Sequence, residues 1–338
     1  MPIATESHRA TLIPPQPPRQ AAVEVRDLVK TYSRPDGGSV NAVDGASFEV
    51  GDGELFGFLG PNGAGKTTTL EIIEGIREPT GGMAAVLGLD SVADREELKR
   101  RIGVQLQAGA YFNFLTLTEI LELFGSFYPR RRPPEELLDR VGLLDRRGSQ
   151  VRHLSGGQAR RFSVVAALVN DPDVVFLDEP TTGLDPAARH TVWELVREIN
   201  RDEGKTVVLT THYMEEAELL ADRVAIIDGG RIQAIDTPET LIARLDGAGK
   251  IRFAAERRVD PNALRGLRGV EDALETRVFQ VDGAGAYAYE LRGADPEGLV
   301  FELLAWSRRD GIRLRALEVA PGSLEDVFLE LTGRALRD

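Results

Sequence analysis

The chain has 338 residues, 42% of them apolar and 28% charged, with no cysteine and a formal net charge of −13. That length can bury a sizeable core and predicts two domains. The absent cysteines exclude disulfides, thiolate zinc sites and a cysteine nucleophile, and the acidic balance argues against general nucleic-acid binding, which needs a basic face.

The first twenty residues carry five prolines and no apolar core. They do not read as a secretory signal, and residues 1–22 are expected to be a disordered tail. No run of about 18 apolar residues exists, so no bilayer-crossing helix is expected, and the simplest location is cytoplasmic. From Val23 on, "VEVRDLVKTY" and "GASFEV" predict an antiparallel start. "ELFGFLG" (54–60) reads as a buried strand that runs into "GPNGAGKTT" (60–68). "TTTLEIIEGI" (67–76) has helical spacing, with Leu70, Ile73 and Ile76 on one face.

"RIGVQLQ" (101–107) predicts another strand. A mostly helical insert is expected over about 108–158, where Thr116 and Glu119 carry a capping-box signature. Within it, "HLSGGQARR" (153–161) is a second small, glycine-containing loop leading into a helix. "DVVFLDEP" (173–180) predicts an apolar strand ending in two acids. "TVVLTTH" (206–212) and "RVAIIDGGRI" (223–232) follow as strands, with amphipathic helices between. Apolar strands alternating with helices imply a mainly parallel sheet covered on both faces. Near 246 the texture changes. Residues 246–338 read as a small α+β domain, with strands at "IRFAA", "TRVFQV", "AYAYELRG" and "IRLRALEV" and helices at 296–308 and 323–332. The expected domains are therefore a tail at 1–22, a main domain at 23–245 and an accessory domain at 246–338.

"GPNGAGKT" fits G-x-x-x-x-G-K-[ST] between a strand and a helix, which is the context a phosphate loop requires. Its glycines let Gly60, Pro61, Asn62, Gly63, Ala64, Gly65, Lys66, Thr67 and Thr68 wrap a polyphosphate. There the helix N-terminus attracts anions and Lys66 brings a positive charge to the β- and γ-phosphates. The Thr67 hydroxyl is placed to ligate Mg²⁺, and Asp178 at the acidic strand end can hold the same ion through water. Side chains alternate along a strand, so Glu179 points differently and can reach a water attacking the γ-phosphate. Taken alone, Glu179 would be better read as a surface acid at a strand end.

Phosphate loop, Gln107, "LSGGQ", "FLDEP", "GLDP" and "TTHYMEEAE" occur in that order. The series resembles the nucleotide-binding subunit of ATP-binding cassette transporters over about 23–240. The resemblance implies a P-loop cassette fold, ATP and Mg²⁺ as cofactors, and ATP hydrolysis. It further implies that Tyr32 stacks on adenine and that Gln107 touches Mg²⁺ and the attacking water. Glu179 would be the catalytic base, His212 would contact the γ-phosphate, and Asp185 would couple two sites. The residues alone leave Tyr32 open to a core position, Gln107 to a polar strand end with Gln105 as rival, and His212 to a capping role.

The resemblance also answers why there are two glycine loops. In this family two cassettes face head to tail, and Ser155, Gly156, Gly157 and Gln158 of one complete the ATP site of the other. One set of motifs then implies a homodimer or a dimer with a similar subunit. "AGAYFNFLT" (108–116) places Tyr111, Phe112 and Phe114 where such subunits receive a membrane helix. The three rings either line that groove or pack the insert. "PGSLEDVFLELTG" (321–333) resembles the daunorubicin-resistance type of export subunit, which pairs with a separately encoded permease of about six membrane helices. Its helix puts Leu324, Val327, Phe328 and Leu331 on one side. The implied function is an exporter motor at the cytoplasmic face of the membrane, moving a hydrophobic drug, antibiotic or lipid-like substrate. An importer ATPase and a soluble cassette ATPase acting on ribosomes or DNA are the alternatives.

Overall fold

The computed structural model describes residues 21–34, 37–105, 111–112, 114–245, 249–281, 284–293, 295–320 and 322–333. The expected tail lies outside them except for Ala21 and Ala22, which already belong to the first strand.

Strands β1 (Ala21–Ser33) and β2 (Ser39–Gly51) pair antiparallel, as their alternating sequences predict. β3 (Leu55–Leu59) is buried throughout and leads through the phosphate loop into α1 (Lys66–Ile73). Leu70 and Ile73 are buried on that helix, whereas Ile76 lies beyond its end and is 51% exposed. β4 (Gly81–Val86) and β5 (Leu89–Asp90) extend the first sheet, giving the order β2-β1-β4-β5. α2 (Arg95–Arg101) precedes β6 (Ile102–Gln105), and α3 (Leu117–Gly125) and α4 (Pro134–Arg140) form the insert. The capping box at Thr116 and Glu119 is present in both directions. α5 (Gly156–Ala166) and β7 (Val174–Asp178) follow, then α6 (Pro186–Arg197), β8 (Thr206–Thr211) and α7 (Met214–Leu220).

Residues 223–232 were expected as one strand. They form the arms of a hairpin, β9 (Arg223–Asp228) and β10 (Arg231–Asp236), paired antiparallel. The reason is the Gly229–Gly230 pair, whose φ values of 57° and 80° suit a two-residue turn with both central residues left-handed. The second sheet runs β10-β9-β3-β8-β7-β6 and is parallel apart from that edge hairpin. One apolar core lies between the two sheets, centred on Phe48, Phe56 and Phe58, and a second joins the parallel sheet to the insert and to α6 and α7.

After α8 (Pro238–Ala243) come β11 (Gly249–Ala255), α9 (Pro261–Arg265), β12 (Asp272–Val281), β13 (Ala284–Gly293), α10 (Pro296–Arg309) and β14 (Leu314–Ala320). These strands make a separate antiparallel sheet, β12-β13-β11-β14, around its own core of Phe253, Tyr289, Leu303 and Trp306. The last helix, α11 (Leu324–Thr332), turns back. Leu324, Val327 and Phe328 bury in the same core as Ala217 of α7 and Leu241 of α8. Among the described residues no helix is long and apolar enough to cross a membrane.

Candidate functional site

The phosphate loop is shaped by backbones packed against it. Gly65 precedes α1 at φ 104°, and a Cβ there would lie 2.2 Å from the Ala42 carbonyl oxygen of β2. At Gly60 a Cβ would lie 2.3 Å from the Ile227 carbonyl oxygen of β9. Larger residues cannot bring these backbones so close. Lys66 is 4% exposed and donates to the carbonyl oxygens of Gly60 (2.8 Å) and Pro61 (3.2 Å). Burial pulls its ammonium below the usual lysine range, against the opposing pull of the Glu179 and Asp178 carboxylates. Beside it lies a pocket of about 410 Å³ lined by Asn62, Gly63, Thr67, Thr68 and Glu179 among others.

Asp178 ends β7 facing the loop. The Thr67 hydroxyl donates to its two carboxylate oxygens at 3.1 and 3.3 Å, and the Thr210 hydroxyl of β8 donates to it as well. Strand alternation was expected to aim Glu179, but β7 has ended by then. Glu179 adopts φ 47°, a left-handed conformation rare outside glycine. Its neighbours hold it there. The Glu179 amide donates to Thr210 Oγ1 (3.0 Å), and the Arg160 guanidinium donates to the carbonyl oxygens of Asp178 (3.2 Å), Glu179 and Pro180 (2.8 Å). Such conformations persist where surrounding structure over-determines them, and they cluster at functional sites.

The Glu179 carboxylate is 5% exposed and has three named partners. His212 Nδ1 lies 3.4 Å away, Lys66 Nζ 3.3 Å away, and the Thr182 hydroxyl donates at 3.0 Å. The His212 contact, joined by the Lys66 charge, outweighs burial and holds this carboxyl at about 2. Phosphate loop, Asp178, Glu179 and His212 are thus one constellation. Glu216 of α7 was not singled out in the sequence. Buried, it accepts from the Thr181 hydroxyl (2.8 Å) and the Trp193 indole (2.9 Å), which ties the segment after Glu179 to α6 and α7. An acid on the buried face of an amphipathic helix was its available signal. Arg160, the first arginine of "LSGGQARR", left no such signal, because its partners are carbonyl oxygens of another element.

The other expected residues lie around this constellation. Ser155 caps α5, accepting from the Gln158 amide (3.3 Å), while the Gln158 side chain accepts from the Ser155 amide (3.0 Å). Ser155 and Gly156 are exposed, and none of Ser155, Gly156, Gly157 and Gln158 lines the phosphate pocket. Asp185 caps α6 by accepting from the Ala188 amide at 3.0 Å. Tyr32 is half-buried at the end of β1 rather than in a core, with Lys30 and Arg77 at 5.5 and 5.4 Å from its ring centre. Gln107 lies outside the described residues. Of the three aromatics beside it, Tyr111 packs against Phe162 (5.3 Å between ring centres), whereas Phe112 and Phe114 are 50% and 72% exposed.

A lysine-bearing loop at a strand–helix junction, with a hydroxyl and a carboxylate facing each other at its end, is the equipment of a P-loop nucleoside triphosphatase. Comparison with known proteins narrows the class. Residues 43–182 match the family model described as ABC transporter. The Nod factor export ATP-binding protein I of Ralstonia nicotianae is 40% identical over 323 residues, covering 94% of this chain and 95% of that protein. The daunorubicin/doxorubicin resistance ATP-binding protein of Streptomyces peucetius is 38% identical, covering 96% and 95%. The linearmycin resistance ATP-binding protein of Bacillus subtilis is 36% identical, covering 94% and 100%. Among solved structures, a dimeric ATP-binding cassette in a post-hydrolysis state with ADP and phosphate matches with a TM-score of 0.59. It is 26% identical and covers 64% of this chain and 98% of that one. The chain belongs to the ABC transporter family, as an ATP-binding and ATP-hydrolysing subunit.

Proposed function

We propose that this chain is the motor of an exporter. Two copies, or one copy and a similar subunit, close on ATP and reopen after hydrolysis, driving a separate permease of about six membrane helices from the cytoplasmic face. The observation that carries the dimer is the position of the second glycine loop. Ser155 and Gly156 present an exposed helix N-terminus, which attracts anions, yet they lie apart from the pocket lined by Lys66 and Thr67 of the same chain. They suit a γ-phosphate held by a neighbour. The dimeric post-hydrolysis cassette supports this reading.

In each site Lys66 and the amides of residues 62–68 hold the phosphates, and Tyr32, flanked by Lys30 and Arg77, stacks on adenine. Glu179 takes the proton of the attacking water, whose oxygen bonds to the γ-phosphorus as ADP leaves. His212 contacts the γ-phosphate and steadies Glu179, and Asp185 couples the paired sites. The donor set fits Mg²⁺, because the Thr67 hydroxyl and the Asp178 carboxylate are hard oxygens already brought together. With Gln107 these residues would hold the ion, which when bound neutralises charge on the β- and γ-phosphate oxygens. A polyphosphate draws Lys66 away from Glu179 and adds negative charge nearby. Both changes raise the proton affinity of the base.

A groove of about 460 Å³ between the end of α1, β6, α3 and α5, walled by Tyr111, Phe124, Phe127 and Tyr128, suits a short permease helix. The exposed Phe112 and Phe114 extend the apolar surface of the insert. Residues 23–245 serve as the cassette and 246–338 as an accessory domain that supports assembly. The proposed substrate is a hydrophobic drug, an antibiotic or a lipid-like molecule; the relatives' names speak of Nod factor export and of daunorubicin/doxorubicin and linearmycin resistance.

The test mixes Lys66→Ala with Ser155→Arg. Each homodimer has two broken sites, whereas a heterodimer regains one intact site if the cap is donated by the neighbour. Labelled ATP retained after rapid gel filtration of tagged heterodimers is expected to exceed that of either homodimer. Equal retention in a proven heterodimer refutes the shared site.

A further inference from the structure

The groove beside β6 contains a group its apolar walls do not explain. Glu74, the residue that ends α1, is 3% exposed and lines this groove. Its carboxyl makes no hydrogen bond or ion pair with any described residue. An acid in a mostly buried wall, with no protein partner for its carboxyl, is explained only by what enters the groove, since a side chain serving only to fill space would be apolar. Burial, reinforced by the negative charges of Asp178 and Glu71, pushes this carboxyl up to about 8. The cation in the lining, Lys99, pairs with Glu96 at 2.7 Å.

Three features of the place favour one kind of guest. A carboxylate at the base of a groove pairs best with a guanidinium or ammonium, and a guanidinium pairs in bidentate fashion. The walls are aromatic, and aromatic rings attract cations and stack on a guanidinium. The C-terminal end of α1 carries the negative pole of the helix, and a cation there is favoured again. Because α1 begins at Lys66, the same short helix carries the phosphate loop at one end and this acid at the other.

We propose that Glu74 is the specificity-determining residue of this groove, receiving an arginine or lysine side chain from an amphipathic helix of the membrane subunit. This rests on the reading of the groove as the permease site and adds the chemistry that selects the helix. The guest's apolar face lies against Phe124, Phe127 and Tyr128, and its single inward cation reaches Glu74.

The test uses the full-length chain as bait for a displayed library of amphipathic helices about twelve residues long, with all amino acids allowed at the central inward position. Wild-type protein is expected to enrich arginine and lysine there by about fivefold or more. Glu74→Gln should abolish that preference, and Glu74→Lys should invert it toward aspartate and glutamate, so the two variants test the charge even if one folds poorly. Phe127→Asp should lose the binders altogether. Binders that depend on Phe127 but show no basic preference leave the groove reading standing and overturn the role of Glu74. Absence of any Phe127-dependent binder overturns the groove reading and the proposal with it.

Discussion

Lys66 and Glu179 form a buried ion pair, with 3.3 Å between Nζ and Oε1 and exposures of only 4% and 5%. On the proposed roles, the residue that holds phosphate and the residue that accepts the water's proton share one charge interaction, and ATP would compete with Glu179 for the same ammonium.

Glu179→Gln keeps size and hydrogen bonding but cannot accept a proton. Turnover, followed as phosphate release, is expected to fall by about 10²–10⁴. ATP binding should survive and ATP-bound dimers should accumulate in size-exclusion chromatography. Normal hydrolysis by this variant would remove Glu179 from the role of base.

Arg160 holds the carbonyl oxygens from Asp178 to Pro180 and, on the proposed role of Glu179, would act on the same step at one remove. Arg160→Ala should lower kcat by about tenfold or more, since misplacing a base weakens proton transfer. The nucleotide Kd should stay within about threefold, because Arg160 is not part of the phosphate pocket. Arg160→Lys can restore one carbonyl contact and is expected to recover part of kcat. Equal loss of binding and turnover would mean general unfolding rather than mispositioning.

Asp171 gives the protein an acid-sensitive joint. Burial raises its carboxyl, but the Lys205 hydrogen bond and the charges of Lys205, Arg132 and Arg130 outweigh this and leave it at about 2. The folded value lies below the unfolded one of 3.8. The contribution is therefore full above about pH 4 and is lost as the pH falls toward 2. Asp171→Asn should cost about 2 kcal/mol at pH 7 by this linkage. Denaturant titrations should find the gap between variant and wild type closing between pH 4 and 2. A pH-independent gap would refute the assignment.

Phe328 joins the accessory region to the cassette. It is 1% exposed and buries with Ala217 and Leu241. Phe328→Ala should destabilise by about 3–5 kcal/mol, read as a lowered denaturation midpoint with nucleotide affinity retained. A chain cut near 245 keeps every residue of the phosphate pocket but bares this apolar face. It should bind ATP and aggregate more readily. Unchanged stability in both variants would mean that α11 contributes nothing to the cassette.

Much of this protein was legible in the order of its residues. The phosphate loop, the acidic strand end, the parallel sheet and the capping box at Thr116 and Glu119 each follow from local rules: spacing, alternation and the needs of a helix start. Family resemblance supplied roles for His212 and Asp185 that spacing alone left open. The expectation of a single strand at 223–232 missed a turn signal that was present, the paired glycines.

What only the tertiary structure decided are relationships between distant elements. No local pattern announces that Arg160 grips the backbone after β7, that Glu179 leaves its strand at φ 47°, or that Glu216 ties α7 to the segment after Glu179. The amphipathic pattern of α11 shows that it has a face to bury. It does not say that the face closes on α7 and α8 rather than on the neighbouring sheet. Side-chain periodicity records whether a residue needs a partner, because burial acts on each residue's own polarity. Which partner it finds depends on backbones brought together across the whole chain, and there the geometry of the site is made.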